Sequence, residues 1–345
     1  MASRIGIDAR LIRAYGIGSY IRGLLDGLSS LGGGETYVVF AREEDRALIP
    51  QSMELITTSI AAHSIGEPLR MRRVMHKAGL DLVHAPHFNI PLTRLPLVVT
   101  MYDAIPFHFP LRNPIAFAYI AFMMQAAARR ADRILLISHA AQRDLAAAID
   151  VDAARMRVIH IGVNDMFFGA HDTTRASLGS YFLFVSRVAP HKNLHVLLDA
   201  LSIVRRSDPS IRLVLAGGKH EDRGDAGVIV PGYVSDERLL ELYRGAVAVV
   251  MPSLMEGFGL PPLEGMALGT PAITSNAAAL VEVTGDAALH VDARSPEPLA
   301  EAMLRLVRDR ALRDELGEKG REHAQAFTWR RCAEATREVY RELLR

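Results

Sequence analysis

Two carboxylates, Glu256 and Glu264, flank a glycine loop within VVMPSLMEGFGLPPLEGMALGTPAITS, residues 249–275. A carboxylate accepts two hydrogen bonds from neighbouring hydroxyls, which suits the vicinal diol of a sugar or a ribose. Gly257 and Gly259 let the backbone between them approach a ligand closely. Pro261 and Pro262 mark the first turn of a helix over about Leu263 to Leu268, and its free N–H groups attract phosphate or sugar oxygens. Two glutamates at this spacing are ordinarily a solvated loop residue and a helix-start carboxylate. The glycines, the prolines and the apolar run Val247 to Met251 ahead of them favour a site instead. A second group is basic: Arg187 and Lys192 follow the apolar run Tyr181 to Val185 and precede a helix from about Asn193. Arginine forks onto two oxygens and lysine supplies a compact charge, a pairing suited to a diphosphate. The alternative is a solvated basic loop.

These groups need strands that end beneath them. In the second half, runs at Tyr181 to Val185, Arg212 to Ala216, Val228 to Val230, Val247 to Met251 and Ala272 to Thr274 alternate with helical patterns, the signature of a parallel sheet. Open sheets of that kind bind ligands at the carboxyl ends of their strands. The first half repeats the arrangement, with strands at Ile5 to Asp8, Thr36 to Phe40, Leu82 to Ala85, Leu97 to Met101, Ile134 to Ser138 and Val158 to Val163. Gly16-Ile17-Gly18 lies where the first strand turns into a helix over about Ser19 to Ser30, and reads as a flexible turn or as a loop whose amides meet a ligand. It lacks the third glycine of a dinucleotide fingerprint. Gly32-Gly33-Gly34 reads as a linker. His84, His87, Asn89 and His108 cluster near strand ends, yet no histidine pair sits at helical spacing with a carboxylate, so no metal is expected. Asp150-Val151-Asp152 spells D-x-D but lies in a helix-to-strand connection, and reads as turn chemistry.

A chain of 345 residues, half of them apolar, supports two domains with real cores. Basic and acidic residues number 40 and 39, a balance that argues against bulk nucleic-acid binding. The single cysteine, Cys332, excludes an internal disulfide and fits a reducing compartment. Met1-Ala2-Ser3-Arg4 leads straight into a strand, so no signal peptide is expected and a cytoplasmic protein is. Ile115 to Ala128 is apolar but interrupted by Gln125, too short for a comfortable span, and is expected to be a buried helix.

The motif Glu256-x7-Glu264 in PSLMEGFGLPPLEGMALGTPAITS, with NAAALVEVTGDAALHVDA downstream, resembles the signature of glycosyltransferase family 4, retaining enzymes of the GT-B type. The resemblance extends over nearly the whole chain and is strongest in the C-terminal half. It implies two Rossmann-like domains facing across a cleft. An N-terminal acceptor domain would cover 1–168 and a nucleotide-sugar donor domain 172–327, joined at about Gly169 to Ser180. A last helix, 328–345, would cross back to the first domain with Trp329 as a packing anchor. The donor's diphosphate would be held by Arg187, Lys192 and the amides after Glu256, and its ribose by Glu264. The sugar would be held by Glu256 and the Gly257-Phe258-Gly259-Leu260 backbone. Gly16 and Gly18 occupy the place of the family's N-terminal glycine loop, and Gly217-Gly218 that of another family turn, with Lys219 nearby. Tyr233 and Val234 fall where family members contact the base. Family members commonly carry a histidine after the strand ending at Met101. This chain has Tyr102 there, with Asp103 next, and either could share the sugar contact with His108.

The resemblance implies transfer of a sugar from a nucleotide-diphosphate donor to a glycan or lipid-linked glycan, without metal or other cofactor. GDP-mannose is the first candidate donor; UDP-sugars and dTDP-rhamnose remain open. The rival readings are a nucleotide-sugar epimerase or hydrolase on the same fold and a non-catalytic sugar-nucleotide-binding subunit. Arg70, Arg72, Arg73, His76 and Lys77, interleaved with Leu69, Met71, Val74 and Met75, read either as a face for an anionic membrane or as a solvated basic surface.

Overall fold

Short apolar runs alternating with amphipathic stretches can bury both faces of a parallel sheet only by laying helices on each. The computed structural model does this twice. It describes residues 2–62, 64, 66–110, 113–169, 178–218, 220, 224 and 226–345. Lys219 and most of the expected link between domains lie outside the described residues. The chain divides into two units, Met1–Gly162 with Phe327–Arg345, and Val163–Ala326.

The first unit has strands β1 (Arg4–Asp8), β2 (Thr36–Ala41), β3 (Glu54–Thr57), β4 (Leu82–Ala85), β5 (Leu97–Met101), β6 (Arg133–Leu136) and β7 (Met156–Val158). Its helices are α1 (Ile17–Leu31), α2 (Glu67–Lys77), α3 (Ile105–His108), α4 (Pro114–Arg130) and α5 (His139–Ala148). The strands form one seven-stranded sheet in the order β3-β2-β1-β4-β5-β6-β7, and every pairing is parallel. The order reverses between β1 and β4, the crevice where such sheets receive ligands. Val38, Phe40, Val83, Val99 and Leu136 pack under Met71, Met124 and Leu145 to make the core.

In the second unit the strands are β8 (Tyr181–Val185), β9 (Arg212–Ala216), β10 (Val228–Ile229), β11 (Ala248–Met251), β12 (Ala272–Ser275) and β13 (Leu289–Val291). The helices are α6 (Leu194–Ser207), α7 (Asp236–Gly245), α8 (Leu260–Ala267), α9 (Ala278–Thr284), α10 (Pro296–Arg308) and α11 (Arg310–Ala324). The six-stranded order, β10-β9-β8-β11-β12-β13, is again wholly parallel. Its reversal falls between β8 and β11, the two strands whose following loops carry Arg187, Lys192 and Glu256. The final helix, α12 (Trp329–Leu343), packs on α1 of the first unit. A Cβ at Gly23 would stand 2.0 Å from the Trp329 indole and one at Gly27 would stand 2.5 Å from its carbonyl oxygen. Side-chain-free positions on α1 therefore let the tryptophan seat against the helix backbone, in the anchoring role expected of it.

Two details depart from the sequence reading. Helix α8 begins at Leu260, so Pro261 and Pro262 sit inside its first turn rather than ahead of it. Helix α4 is not a buried helix: Met124, Ala127 and Ala128 face the core, while Ile115 is 79% and Phe122 70% exposed. The stretch is apolar around its whole circumference, so no periodicity marked which side would meet solvent.

Candidate functional site

The loop after β8 is shaped by Asn193, whose backbone is left-handed at φ 57°. Asparagine tolerates that conformation better than other side-chain-bearing residues. Its amide donates to the Pro252 carbonyl at 3.1 Å and the Ala293 carbonyl at 2.7 Å, tying the loops after β8, β11 and β13 together. A backbone bond from Leu254 N to His191 O, 2.8 Å, joins the first two again. Ser275 donates its hydroxyl to the Ser253 carbonyl and fixes the β12 end to the same loop. The region is thus a cross-braced rim.

On this rim Lys192 Nζ donates to Glu256 Oε1 at 2.6 Å. Glu256 is buried, 8% exposed, and the pair joins residues 64 apart in sequence. A charge in such surroundings is stable only when it is paired. Arg187 is exposed and has no carboxylate partner among the described residues. It rests on the turn after β9: a Cβ at Gly218 would lie 2.8 Å from the Arg187 Cα, and neighbouring Gly217 has φ 83°. Burial, and next the charge of Lys192, push the His191 imidazole below its ordinary value. The rim therefore carries two cations against one carboxylate.

Gly259 caps α8 with φ 115°, and a side chain there would meet Leu280 at 2.5 Å. Phe258 is buried at 3% and anchors the loop. The free amides at the start of α8 are held beside the ion pair by this short connection. Glu264, half-buried on α8, accepts a 2.5 Å hydrogen bond from the Tyr243 hydroxyl of α7. Burial pushes its carboxyl up to about 7, opposed by the Tyr243 bond and helped by the charge of Asp236. Two apolar side chains, Val188 at 57% and Leu254 at 44%, stand exposed on the same loops. Tyr233 is fully out in solvent at 99%, with Val234 half-buried beside it. Both follow β10, the sheet edge, one strand beyond β9 from the β8/β11 crevice.

In the first unit, Gly16 has φ 75° and caps α1. A Cβ at Gly18 would lie 2.3 Å from the Ile12 carbonyl oxygen. Tyr102 does not offer the sugar-directed proton expected of it: its hydroxyl donates to the Pro86 carbonyl at 2.9 Å, leaving only lone pairs. Asp103 accepts from Ile105 N at 2.9 Å, the turn at the start of α3, and His108 ends that helix exposed. His84 is a core residue, bonded through its two ring nitrogens to Tyr340 at 2.6 Å and Thr100 at 2.8 Å. Burial pushes it down to about 3, so it is neutral. Asp152 accepts from Ala154 N at 2.9 Å and caps a turn, as its position in the D-x-D implied.

The sequence reading missed a buried ionic network at the β1/β4 crevice. Arg10 forks onto Asp8 with bonds of 2.8 and 2.5 Å, and the same guanidinium reaches Glu67 at 2.5 Å. His87 lies 3.1 Å from Asp8. Asn89 donates to Glu67 and to the Tyr119 hydroxyl, both at 3.0 Å. Burial alone would push Asp8 up; the charge of His87 and the bonds from Arg10 and His87 hold it well below the usual carboxylate range. Asp8, Glu67 and His87 bring ligand-type atoms within 4.8 Å of one another, so a cation could be held there. Arg10 already supplies that positive charge, bonded to both carboxylates. Asp8 and Arg10 lie two residues apart and invited notice, but Glu67 and Asn89 arrive from distant segments.

Comparison with known proteins places both halves. Residues 173–323 match the family model described as glycosyl transferases group 1, and residues 14–166 that of glycosyltransferase family 4. Among curated relatives, the O-antigen chain mannosyltransferase RfbU of Salmonella typhimurium is 31% identical over 233 residues, which cover 64% of this chain and 63% of that protein. The O-antigen chain mannosyltransferase B of Escherichia coli is 26% identical over 305 residues, 82% of this chain and 80% of that one. Among solved structures, Anabaena HepE in complex with UDP-glucose superposes with a TM-score of 0.79 over 98% of this chain and 99% of that one, at 17% identity.

Proposed function

The chain belongs to glycosyltransferase family 4, and on that premise we propose that it moves a sugar from a nucleotide-diphosphate donor to a glycan or lipid-linked glycan, with retention of configuration. The observation that carries this reading is the rim at the β8/β11 crevice. There an exposed Arg187, the Lys192–Glu256 pair and the start of α8 share one braced set of loops. Cations and free amides so placed suit a diphosphate leaving group, which gains charge as the glycosidic bond breaks. In the proposed step the acceptor oxygen bonds to the anomeric carbon on the face the leaving group vacates. The bond from that carbon to phosphate breaks, and the acceptor's proton passes to the leaving phosphate oxygen. Glu256 and the amides of Gly257 to Leu260 orient the sugar, and Glu264 takes the ribose diol. Gly217, Tyr233 and Val234 border the nucleoside. Acceptor recognition is assigned to the first unit, at the strand ends bearing Gly16, Gly18, Tyr102 and Asp103. Mannose is the proposed sugar, supported by the names of the two O-antigen relatives.

The test is product analysis with GDP-mannose, UDP-glucose and dTDP-rhamnose, each in EDTA. Transfer with retained anomeric configuration and full activity in chelator is expected. Abolition by EDTA would overturn the metal-independent mechanism, and rapid consumption of donor without acceptor would favour a hydrolase or epimerase.

Glu264 gives a prediction with a sign. A carboxylate accepts a diol's two protons only when ionised, so donor KM rises as the pH falls below about 7. Glu264→Gln raises KM throughout and flattens that profile. In the ligand-free protein the linkage runs the other way. The folded pKa lies above the ordinary 4.5, so the stability Glu264 contributes is complete below 4.5 and is lost as the pH rises through about 7. Donor KM measured from pH 5.5 to 8 in both proteins checks this; identical profiles would remove the ribose assignment.

A further inference from the structure

The first unit carries an apolar surface that its own core does not use. Asn113 caps α4 by accepting from Ile115 N at 3.0 Å and Ala116 N at 3.3 Å, which fixes the first turn and the direction of Ile115. Ile115, Tyr119 and Phe122 recur at i, i+4 and i+7, one face of the helix. They are 79%, 40% and 70% exposed. Leu69 of α2 and Leu92 add to them, at 54% and 51%. Hydrogen bonds place these residues together. Asn89 bonds both Tyr119 of α4 and Glu67 at the start of α2. Leu92 N donates to the Pro68 carbonyl at 3.2 Å. Arg130, at the far end of α4, donates to the Thr93 and Leu95 carbonyls. The segment from Asn89 to Leu95 therefore bridges α2 to α4 along the exposed face.

The border of this surface has one sign of charge. Arg70, Arg72, Arg73 and Lys77 of α2 are exposed, as is Arg94 beside Leu92. Helix α4 and the stretch 86–96 contain no acid, and the only acid of α2, Glu67, is buried and bonded within the network. A patch of this kind on a chain of balanced overall charge calls for a partner that is apolar beneath and negative at its surface.

We propose that this face docks on an anionic lipid bilayer, with Ile115, Phe122, Leu69 and Leu92 entering the boundary between headgroups and acyl chains and the α2 arginines lying among the headgroups. Basic side chains near such a surface and apolar side chains buried in its boundary each contribute to the attachment. No helix among the described residues is long and apolar enough to cross a membrane, so the attachment is peripheral. The inference is independent of sugar transfer, because vesicle binding is read without turnover.

The test is flotation of the full chain with phosphatidylglycerol-containing vesicles and with pure phosphatidylcholine vesicles at low salt. The wild type is expected to float with the anionic vesicles only. The double variant Ile115→Ser/Phe122→Ser should lower the bound fraction at least about tenfold, and Arg72→Glu/Arg73→Glu should do the same. All four residues are exposed, so unchanged thermal unfolding checks that both variants fold. Val281→Ser, an exposed apolar change on α9 in the other unit, should leave binding unaltered. Wild type that fails to float, or variants that float equally well, would overturn the proposal. So would a wild-type dimer that the double serine variant converts to monomer, since the face would then belong to a second copy of the chain.

Discussion

Replacing Lys192 with alanine is expected to lower kcat/KM for the nucleotide sugar about a hundredfold, close to 2.7 kcal/mol of transition-state stabilisation at about 1.36 kcal/mol per tenfold. The reason is positional. The ammonium sits 2.6 Å from the Glu256 carboxylate, on a rim where a leaving diphosphate would gain charge. Loss of the lysine has a second consequence: Glu256, buried at 8% exposure, is left without its cation. The variant should therefore also be destabilised, by about 3–5 kcal/mol if no water relieves the carboxylate. Arg187→Ala separates the two effects. Arg187 is exposed and has no carboxylate partner among the described residues, so its removal should cost a similar factor in kcat/KM and leave the unfolding midpoint unchanged. Steady-state kinetics and urea unfolding on both variants check this. A wild-type kcat/KM in either would remove that cation from the mechanism.

Arg10→Met is the second large effect, and it concerns stability. The guanidinium bridges Asp8 and Glu67, both fully enclosed. Methionine of similar length keeps most of the volume but leaves two carboxylates together without a cation. Breaking a buried pair from one side costs about 3–5 kcal/mol, which should appear as a lower urea midpoint with unchanged slope. The pH dependence has a definite direction. Asp8 is held below its ordinary 3.8, so the stability it confers in the wild type is complete above 3.8 and is lost as the pH falls beneath it. The gap between wild type and Arg10→Met should therefore narrow in acid, where the variant's carboxylates are protonated. A loss under about 1 kcal/mol at neutral pH would mean that the network is not the brace described here.

The sheets and the donor-side loop were legible in the sequence because their signals are local. Apolar runs such as Leu97–Met101 and Tyr181–Val185 can serve only as doubly covered strands. The order of proline and glycine around Glu256 dictates a loop and a helix start within a few residues. Lys192 and Glu256 were each readable as candidates, but their pairing across 64 residues is a product of strand order. Tyr243, which bonds Glu264 from α7, gave no local sign of that role. The Asp8–Arg10–Glu67 network was opaque for the same reason: a buried charge looks like a surface charge until its partner arrives from another segment. Helix α4 failed differently. Its composition suggested burial, and only the packing of Met124, Ala127 and Ala128 against the sheet decides that Ile115 and Phe122 point outward. Tyr102 illustrates a further limit, since the type of a residue does not reveal that a carbonyl such as Pro86 has already taken its proton.

The central claim is tested most directly by a crystal structure of the protein with a nucleoside-diphosphate sugar bound. The account predicts the diphosphate within hydrogen-bond distance of Arg187 and Lys192, the ribose diol on Glu264 in place of Tyr243, and the sugar against Glu256 and the amides of Gly257 to Leu260. A ligand seated away from the β8/β11 crevice, with Lys192 still closed on Glu256 and Glu264 still bonded to Tyr243, would contradict it.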